Sequence, residues 1–427
     1  ILDYALKSNC VRIEDLKTLD SFVLKHVRKW FSLPNCSSTS FFYTPIKLGG
    51  LGLKNITEDF RALRLACALT VLNSEDARVE QIAQTTLKTI VAKRYPSTNA
   101  QQITPLQVLN FLNGDVDISN SGDIRSLLSS ARLNRKMLNV ELINANDNFN
   151  IELDPSTLLR PPSVFRDQLI IPTRIKILRW HNQCKFYNKW RQQIDQGKTV
   201  SCISQDPASN TWIKSGHIKV TTCRFALHGR MNLLPTKSVL KKIKKAPDSK
   251  CRHCNCENET LGHILSTCKY GTNLIIKRHN NVLNFLTTKI KMPKNWTISK
   301  DQAIIPDSNR RPDLVLINRK KHKAIILDIT IAFENDPARL ANVRDGKIAK
   351  YMRERLTLER QGLIVYPGAL VYGSLGSHLD SNFEFYKMLG LKRKNIKRIK
   401  KTITSMILDD SHTVFKNHVR EGANLMH

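Results

Sequence analysis

The stretch that most constrains this chain runs from Arg310 to Tyr351, because it dictates a strand register. Two apolar, β-branched runs, Leu314–Ile317 and Ala324–Ile331, flank a basic turn, Arg319–His322. That is the pattern of a β-hairpin, although the turn lacks the usual Asn-Gly or Asp-Gly. Folding between Lys320 and Lys321 sets Asp313 directly opposite Asp328, with Cβ atoms about 4.5–5.5 Å apart. Two facing carboxylates repel, and neither is cheap to bury. A divalent cation between them resolves both problems. Such an oxygen pair suits magnesium, which usually takes one or two carboxylates together with phosphate and water.

The spacing then predicts a helix, with Asp336 as N-cap and Pro337 at the first helical position, where its missing N–H costs nothing. On that helix Leu340, Val343, Lys347 and Tyr351 share one face. Lys347 therefore points toward the hairpin with the apolar residues. A cation aimed at a metal-bound carboxylate pair can hold a scissile phosphate and stabilise the charge that builds on it. Together these residues suggest metal-dependent phosphodiester cleavage. The plainer alternative is a solvated surface, where an Asp at a strand start and a Lys on a helix are common.

Charge points the same way. Lys and Arg number 68 against 36 Asp and Glu, a formal net charge of +32 over 427 residues. That excess predicts a polyanionic partner, and nucleic acid is the one it suits best. No apolar run reaches the roughly 18 residues of a spanning helix, and no signal peptide is evident, so no membrane partner is expected. The chain starts at Ile1 in an amphipathic pattern and reads as part of something longer.

The ten cysteines do not suggest a disulfide framework. Six (Cys10, Cys36, Cys67, Cys184, Cys202, Cys223) are scattered singly, and four cluster within 18 positions. Cys251-x2-Cys254 followed by His263-x4-Cys268 supplies three thiolates and one imidazole, a closed tetrahedral set for structural zinc. Thr260 is placed to cap a short helix carrying His263, and Cys256 is spare. Such a set belongs in a reducing compartment.

The rest of the chain is mostly helical in pattern. Ile13, Leu16, Leu19, Val23, Val27 and Trp30 form a stripe over 13–31, and residues 57–94 read as two further helices. Gly49-Gly50-Leu51-Gly52 reads as a turn, since it lacks the Gly-Lys-Ser/Thr of a nucleotide loop. Polar clusters at Tyr95–Gln102 and Asn144–Asn150, and Pro161-Pro162, mark loops or a linker. Helix resumes over Arg174–Gln193, where Trp180, Tyr187 and Trp190 stand among basic residues; core packing is preferred to base stacking. Lys241, Lys242, Lys244 and Lys245 are phosphate contacts or a solvated face. Arg278 and His279 lie on an amphipathic helix over Ile275–Leu286, either as a surface pair or as phosphate contacts near the cleavage centre. Leu363–Tyr372 is strand-like and Asn382–Leu391 helical. Seven cations within 392–401 suit a polyanion. Met406–Asp410 (MILDD) superficially resembles a polymerase Asp-Asp site but lacks a partner and reads as a helix end.

Taken in order, GGLGL, GRMNLLPT ending at Thr236, CRHC with ETLGHILSTC, KRHN, and RPD-x14-D-x18-KIAKY resemble one group over nearly the whole chain. It is the C-terminal half of the Pol proteins of site-specific type-I non-LTR retrotransposable elements that insert into ribosomal RNA genes. The resemblance implies a multidomain, α-rich N-terminal half, with a polymerase thumb-like region over 1–100 and a helical linker over 101–245. A small CCHC zinc knuckle over 246–272 and an α/β restriction-enzyme-like endonuclease of the PD-(D/E)xK fold over 273–427 would follow. It assigns Asp313 and Asp328 to magnesium and makes Lys347 the catalytic lysine, with Lys350 and Tyr351 in support. Many such enzymes place the lysine two residues after the second acid, where this chain has Thr330; a lysine moved to the next helix matches the placement of Lys347. Arg230, Arg310 and Arg311 join the basic residues above as nucleic-acid contacts.

The implied function is target-primed reverse transcription in the nucleus. The endonuclease nicks double-stranded chromosomal DNA, and the freed 3′-hydroxyl primes copying of the element's RNA. The polymerase palm is not in this chain, so the activity expected of the chain itself is the nick. The alternative is a nucleic-acid-binding zinc-knuckle module carrying an inactive nuclease fold.

Overall fold

The computed structural model describes residues 6, 11–95, 98–115, 126–145, 148–153, 171–254, 256–306 and 308–424. They form two compact units. The first comprises Ile1–Trp30, Phe42–Thr44 and Gly52–Lys189, and the second Phe31–Phe41, Pro45–Leu51 and Trp190–His427. No helix among the described residues is long and apolar enough to cross a membrane.

The first unit is built around one helix buried on every side. Helix α1 (Ile13–Trp30) precedes α2 (Ile56–Leu72), in which Phe60, Leu63, Leu65 and Leu69 are buried along with Arg61 and Arg64. Asp20 of α1 caps the start of α2. Its carboxylate accepts from the backbone N–H of Ile56 and Thr57, at 2.9 and 3.0 Å, and from the Thr57 hydroxyl at 2.6 Å. That use of Asp20 narrows the apolar stripe of α1: Leu16, Leu24 and Val27 are buried, whereas Leu19 and Trp30 remain exposed.

Helices α3 (Ala77–Ala92), α4 (Pro105–Asn113) and α5 (Ala131–Leu138) pack around α2. A hairpin of β1 (Glu141–Ala145) and β2 (Asn148–Glu152) follows. The expectation of a loop or linker at Asn144–Asn150 is thus corrected. Leu142, Phe149 and Ile151 bury into the core, and the Asn73 side chain bonds both the N–H and the C=O of Phe149. Helix α6 (Ile171–Arg191) contributes its residues through Lys189 to this unit, and Arg179 there makes a two-pronged pair with buried Asp59. Trp180, Tyr187 and, in the second unit, Trp190 are all buried, so packing is their role. Pro161-Pro162 lies outside the described residues.

The second unit holds helices α7 (Val220–Arg230), α8 (Lys237–Lys242), α9 (Leu261–Ser266) and α10 (Thr272–Thr287), then a four-stranded sheet. Its strands are β3 (Thr297–Lys300), β4 (Leu314–Asn318), β5 (Lys323–Ala332) and β6 (Ile364–Gly373), in that spatial order. The first three are antiparallel neighbours, and β6 runs parallel to β5. A parallel pair needs a crossover, supplied by α11 (Pro337–Lys350) and α12 (Met352–Arg360). Helices α13 (Asn382–Met388) and α14 (Arg393–Asn424) complete the unit.

Period-two alternation sorts the sheet residues between two cores. Leu314, Leu316, Ile325, Leu327 and Ile329 meet Val282 and Leu286 of α10 and Ile403 and Ile407 of α14. Ala324, Ile326 and Val365 meet Tyr351 and Leu358 on the other face. Both faces are covered, which explains why β5 reads as a continuous apolar run. Met406–Asp410 does not end a helix as expected. It lies inside α14, where Asp409 accepts from the Thr222 hydroxyl and Asp410 from the Asn281 amide.

Candidate active site and metal centre

The hairpin carries the register that its symmetry predicted, from Leu314 opposite Leu327 to Asn318 opposite Lys323. Asn318 makes the turn possible without glycine: its side chain accepts from the Lys321 N–H at 3.0 Å, and His322 takes the left-handed conformation at φ 50°. One step past the last pair come Asp313, just ahead of β4, and Asp328, within β5. Alternation puts Asp328 on the sheet face of Ala324 and Ile326, under α11.

Asp328 is 2% exposed, and both its oxygens meet donors from the end of α11. The Tyr351 hydroxyl donates to Oδ1 at 2.8 Å, and the Lys347 ammonium lies 2.8 Å from Oδ2. Asp336 does cap α11, accepting from the Ala338 N–H at 3.0 Å, and Leu340 is buried on the face that carries Lys347. The Lys347 side chain is about one-third exposed, so it links a buried carboxylate to the open cleft. Burial, helped by the Asp328 charge, pushes the Tyr351 hydroxyl far above its usual range and keeps it a donor. Lys350 donates to the same hydroxyl at 3.1 Å, and the Arg311 carbonyl lies 3.0 Å away.

Asp313 is held by different partners. Its Oδ2 accepts from the Ile329 N–H at 2.5 Å and lies 3.2 Å from His279 Nε2, which is also 3.0 Å from the Ile329 carbonyl. His279 thus ties the acid to the neighbouring strand. The bond to Asp313 raises the His279 pKa, outweighing burial, which lowers it. Asp313, Asp328, Lys347, Lys350, Tyr351, His279 and Arg311 line one open cleft, with Thr330 in its wall. Arg310 stands beside it, half-exposed, donating to the Lys350 carbonyl at 2.7 Å.

The cleft suits a hard cation only in part. Both Asp313 contacts fall on Oδ2, and Oδ1 has no hydrogen-bond partner among the described residues. Among the described residues no third His, Cys, Asp or Glu joins the two acids within ligand reach of one another. Water and phosphate would have to complete the shell, as magnesium commonly requires.

Two arginines expected to contact nucleic acid are buried instead. Arg230 bonds the Asn210 side chain and the carbonyls of Ser209 and Leu375. Arg278 bonds the Ser411 hydroxyl and the Leu265 carbonyl, each at 2.7 Å. Both are 0% exposed, so each spends its guanidinium on satisfying buried acceptors. Lys241, Lys242, Lys244 and Lys245 are exposed, with Lys242 paired to Asp195.

Cys251, Cys254, His263 and Cys268 converge, with their ligand atoms all within 4.8 Å of one another. Thr260 caps α9, accepting from the His263 N–H at 3.1 Å. His263 Nε2 is 3.4 Å from Cys254 Sγ, and its Nδ1 is 3.2 Å from the Thr267 hydroxyl. That is how a metal-bound imidazole is normally oriented. The donor set and convergence fit a metal ion. Burial pushes the Cys251 thiol up to about 12, so metal binding there must displace a proton. Cys256 stands aside, its thiol 3.6 Å from the Asn258 carbonyl.

Two neighbours of this cluster escaped the sequence reading. His418 of α14 lies 3.8 Å from Cys251 Sγ and 3.1 Å from Glu259 Oε2. Glu259 is fully buried and also accepts from Arg252 and from the Lys237 N–H. Burial works to raise its pKa, but bonds from His418 and Arg252 carry it down to about 2. His418 lies 150 positions beyond the last cysteine of the set, so no spacing signal could announce it.

The chain matches two proteins of Popillia japonica, each described as "Retrovirus-related Pol polyprotein from type-1 retrotransposable element R2". One is 29% identical over 228 residues, covering 52% of this chain and 44% of that protein. The other is 26% identical over 152 residues, covering 34% of this chain and 21% of that protein. The matched region thus spans less than half the length of either relative. The resemblance carried by the motif order is borne out, and the chain is similar to the C-terminal part of an R2-type Pol protein. No family model matches the chain.

Proposed function

We propose that the second unit is a metal-dependent DNA endonuclease that nicks double-stranded target DNA. The observation that carries this reading is the convergence of Asp313, Asp328 and Lys347 in one cleft, two acids from adjoining strands and an ammonium from the following helix. A mixed sheet with helices on both faces, one acid just ahead of β4 and the other in the middle of β5, supports a PD-(D/E)xK core over 273–427. The similarity to Pol polyproteins supports a retrotransposon protein, which would work on nucleic acid in the nucleus. Within it, the ribosomal RNA gene would be the target and the element's RNA the template. The region 1–100 would be thumb-like, 101–245 a helical linker and 246–272 the knuckle. The knuckle residues would hold a structural zinc ion.

Asp313 and Asp328 would hold magnesium, which when bound would supply the charge that activates water and neutralises the phosphodiester. The chain's own residues do the rest. Tyr351 fixes Asp328 through Oδ1, and His279 and the Ile329 N–H fix Asp313 through Oδ2. Lys347, paired with Asp328 and about one-third exposed to the cleft, would meet the scissile phosphate and stabilise its developing charge. Arg310 and Arg311 at the cleft mouth meet flanking phosphates. The products are a 3′-hydroxyl and a 5′-phosphate, the former suited to prime synthesis.

The test is nicking of supercoiled DNA by the purified chain with magnesium or EDTA, beside Asp328→Ala. The reading expects nicking that chelation and the mutation both abolish while DNA binding persists. Undiminished nicking by Asp328→Ala would overturn it. Binding without nicking by the full-length parent would favour a nucleic-acid-binding module with an inactive nuclease fold.

A further inference from the structure

A strongly basic surface outside the cleft lies where α10 ends and α14 begins. Phe285, Lys289, Lys291, Asn395, Arg398 and Thr402 line a groove there. Exposed Lys392, Arg393, Lys394 and Lys397 are neighbours in sequence of its α14 residues. Among the described residues none of these cations is paired with a carboxylate; Lys289 instead lies 5.2 Å from the Phe285 ring centre. Lys400, in the same run, is buried against Asp206 and takes no part.

This is a costly way to begin a helix. The N-terminal end of a helix carries partial positive charge and favours acidic side chains. Helix α14 has none in its first turn and opens on Arg393 and Lys394. Lys394, Lys397, Arg398 and Lys401 then follow at three- and four-residue spacings, where like charges repel. A bound polyanion removes both penalties. Asn395, Arg398 and Thr402 fall on one face, offering amide, guanidinium and hydroxyl donors along the groove.

We infer that this groove binds the phosphodiester backbone of a nucleic-acid strand, with Lys289, Lys291 and Arg398 on successive phosphates. The site stands whether or not the cleft cleaves. The two are nonetheless joined along α10: His279 faces the cleft, and Phe285, six residues on, lines the groove. That is about 9 Å along the helix axis.

The experiment is binding of the full chain to labelled single-stranded DNA and RNA of one sequence, followed by fluorescence anisotropy across a salt series. Lys289→Gln with Arg398→Gln removes two phosphate contacts, so the slope of log K against log salt should become shallower by about 1.4. Lys291→Gln alone should shift it by about 0.7, and it serves as the second variant should the double one fail to fold. The DNA and RNA arms tell which strand the groove prefers. An unchanged slope in the groove variants overturns the inference. So does an equal change in Arg78→Gln with Lys136→Gln, exposed cations of the first unit, because bulk charge would then explain the binding.

Discussion

The Tyr351 hydroxyl donates to Oδ1 of Asp328 at 2.8 Å, across the boundary between the crossover helix and the central strand. Tyr351→Phe keeps the ring packing and deletes this donor to a buried carboxylate, together with the hydroxyl's contacts to Lys350 and the Arg311 carbonyl. The expected cost is about 1–3 kcal/mol of stability, read as a lower melting temperature. Nicking should fall by less than in Asp328→Ala, since the acid itself remains.

Lys347 touches Asp328 and the open cleft at once. Lys347→Ala should reduce the nicking rate by about 10²–10³-fold while DNA affinity stays close to wild type. Single-turnover nicking measured beside equilibrium binding checks both. A parallel collapse of binding would recast Lys347 as a docking residue.

The Cys/His cluster should bind one metal ion per chain. Cys254→Ser or a strong chelator should remove it and lower the melting temperature, with metal content followed by elemental analysis. His418→Ala should retain the ion but weaken its affinity by about 10–100-fold, because His418 and Glu259 support the cluster from outside.

His378 is buried, with its Nε2 2.8 Å from the Thr404 hydroxyl and with Asp206 and Lys400 acting on it. Burial lowers its pKa from 6.5 to about 4. As pH falls below 6.5 the unfolded chain takes up this proton first, so stability is lost progressively down to about pH 4 and then levels for this group. The loss amounts to roughly 3 kcal/mol, at about 1.4 kcal/mol per unit. Asp206, its own pKa lowered with Lys400 beside it, adds its loss at more acid pH. Denaturant melts of wild type and His378→Gln between these limits should show the slope in the former and its reduction in the latter.

Gly373 ends β6 where Glu334 turns in to accept from the N–H groups of Leu375 and Ser377. A Cβ on Gly373 would fall 1.9 Å from Glu334 Oε1 and 2.2 Å from Ser377 Oγ. Gly373→Ala should therefore destabilise the second unit by about 1–3 kcal/mol or more, measurable by thermal unfolding.

Much of the second unit was legible because its signals are local. The hairpin register followed from symmetry about Lys320–Lys321, the cap of α11 from Asp336-Pro337, and the metal cluster from cysteine spacing closed by the Thr260 cap. Asn144–Asn150 misled because its polar composition hides the alternation of Leu142, Phe149 and Ile151, whose value lies in a core built elsewhere. Met406–Asp410 misled because acids that look like a terminus are satisfied mid-helix by Thr222 and Asn281.

What the sequence determined by itself is what short-range geometry controls: element type, caps, register, and which side chains share a face. Tertiary structure alone decided the fate of the charged groups. Arg278 finds its acceptor 133 positions away and Arg230 one 145 positions away, so nothing in the local pattern distinguishes them from surface cations. His279 and His418 became supports for an acid and for the Cys/His cluster in the same way. A buried charge must be paired or bonded, and the partner that meets this requirement is chosen by chain packing rather than by neighbours in sequence.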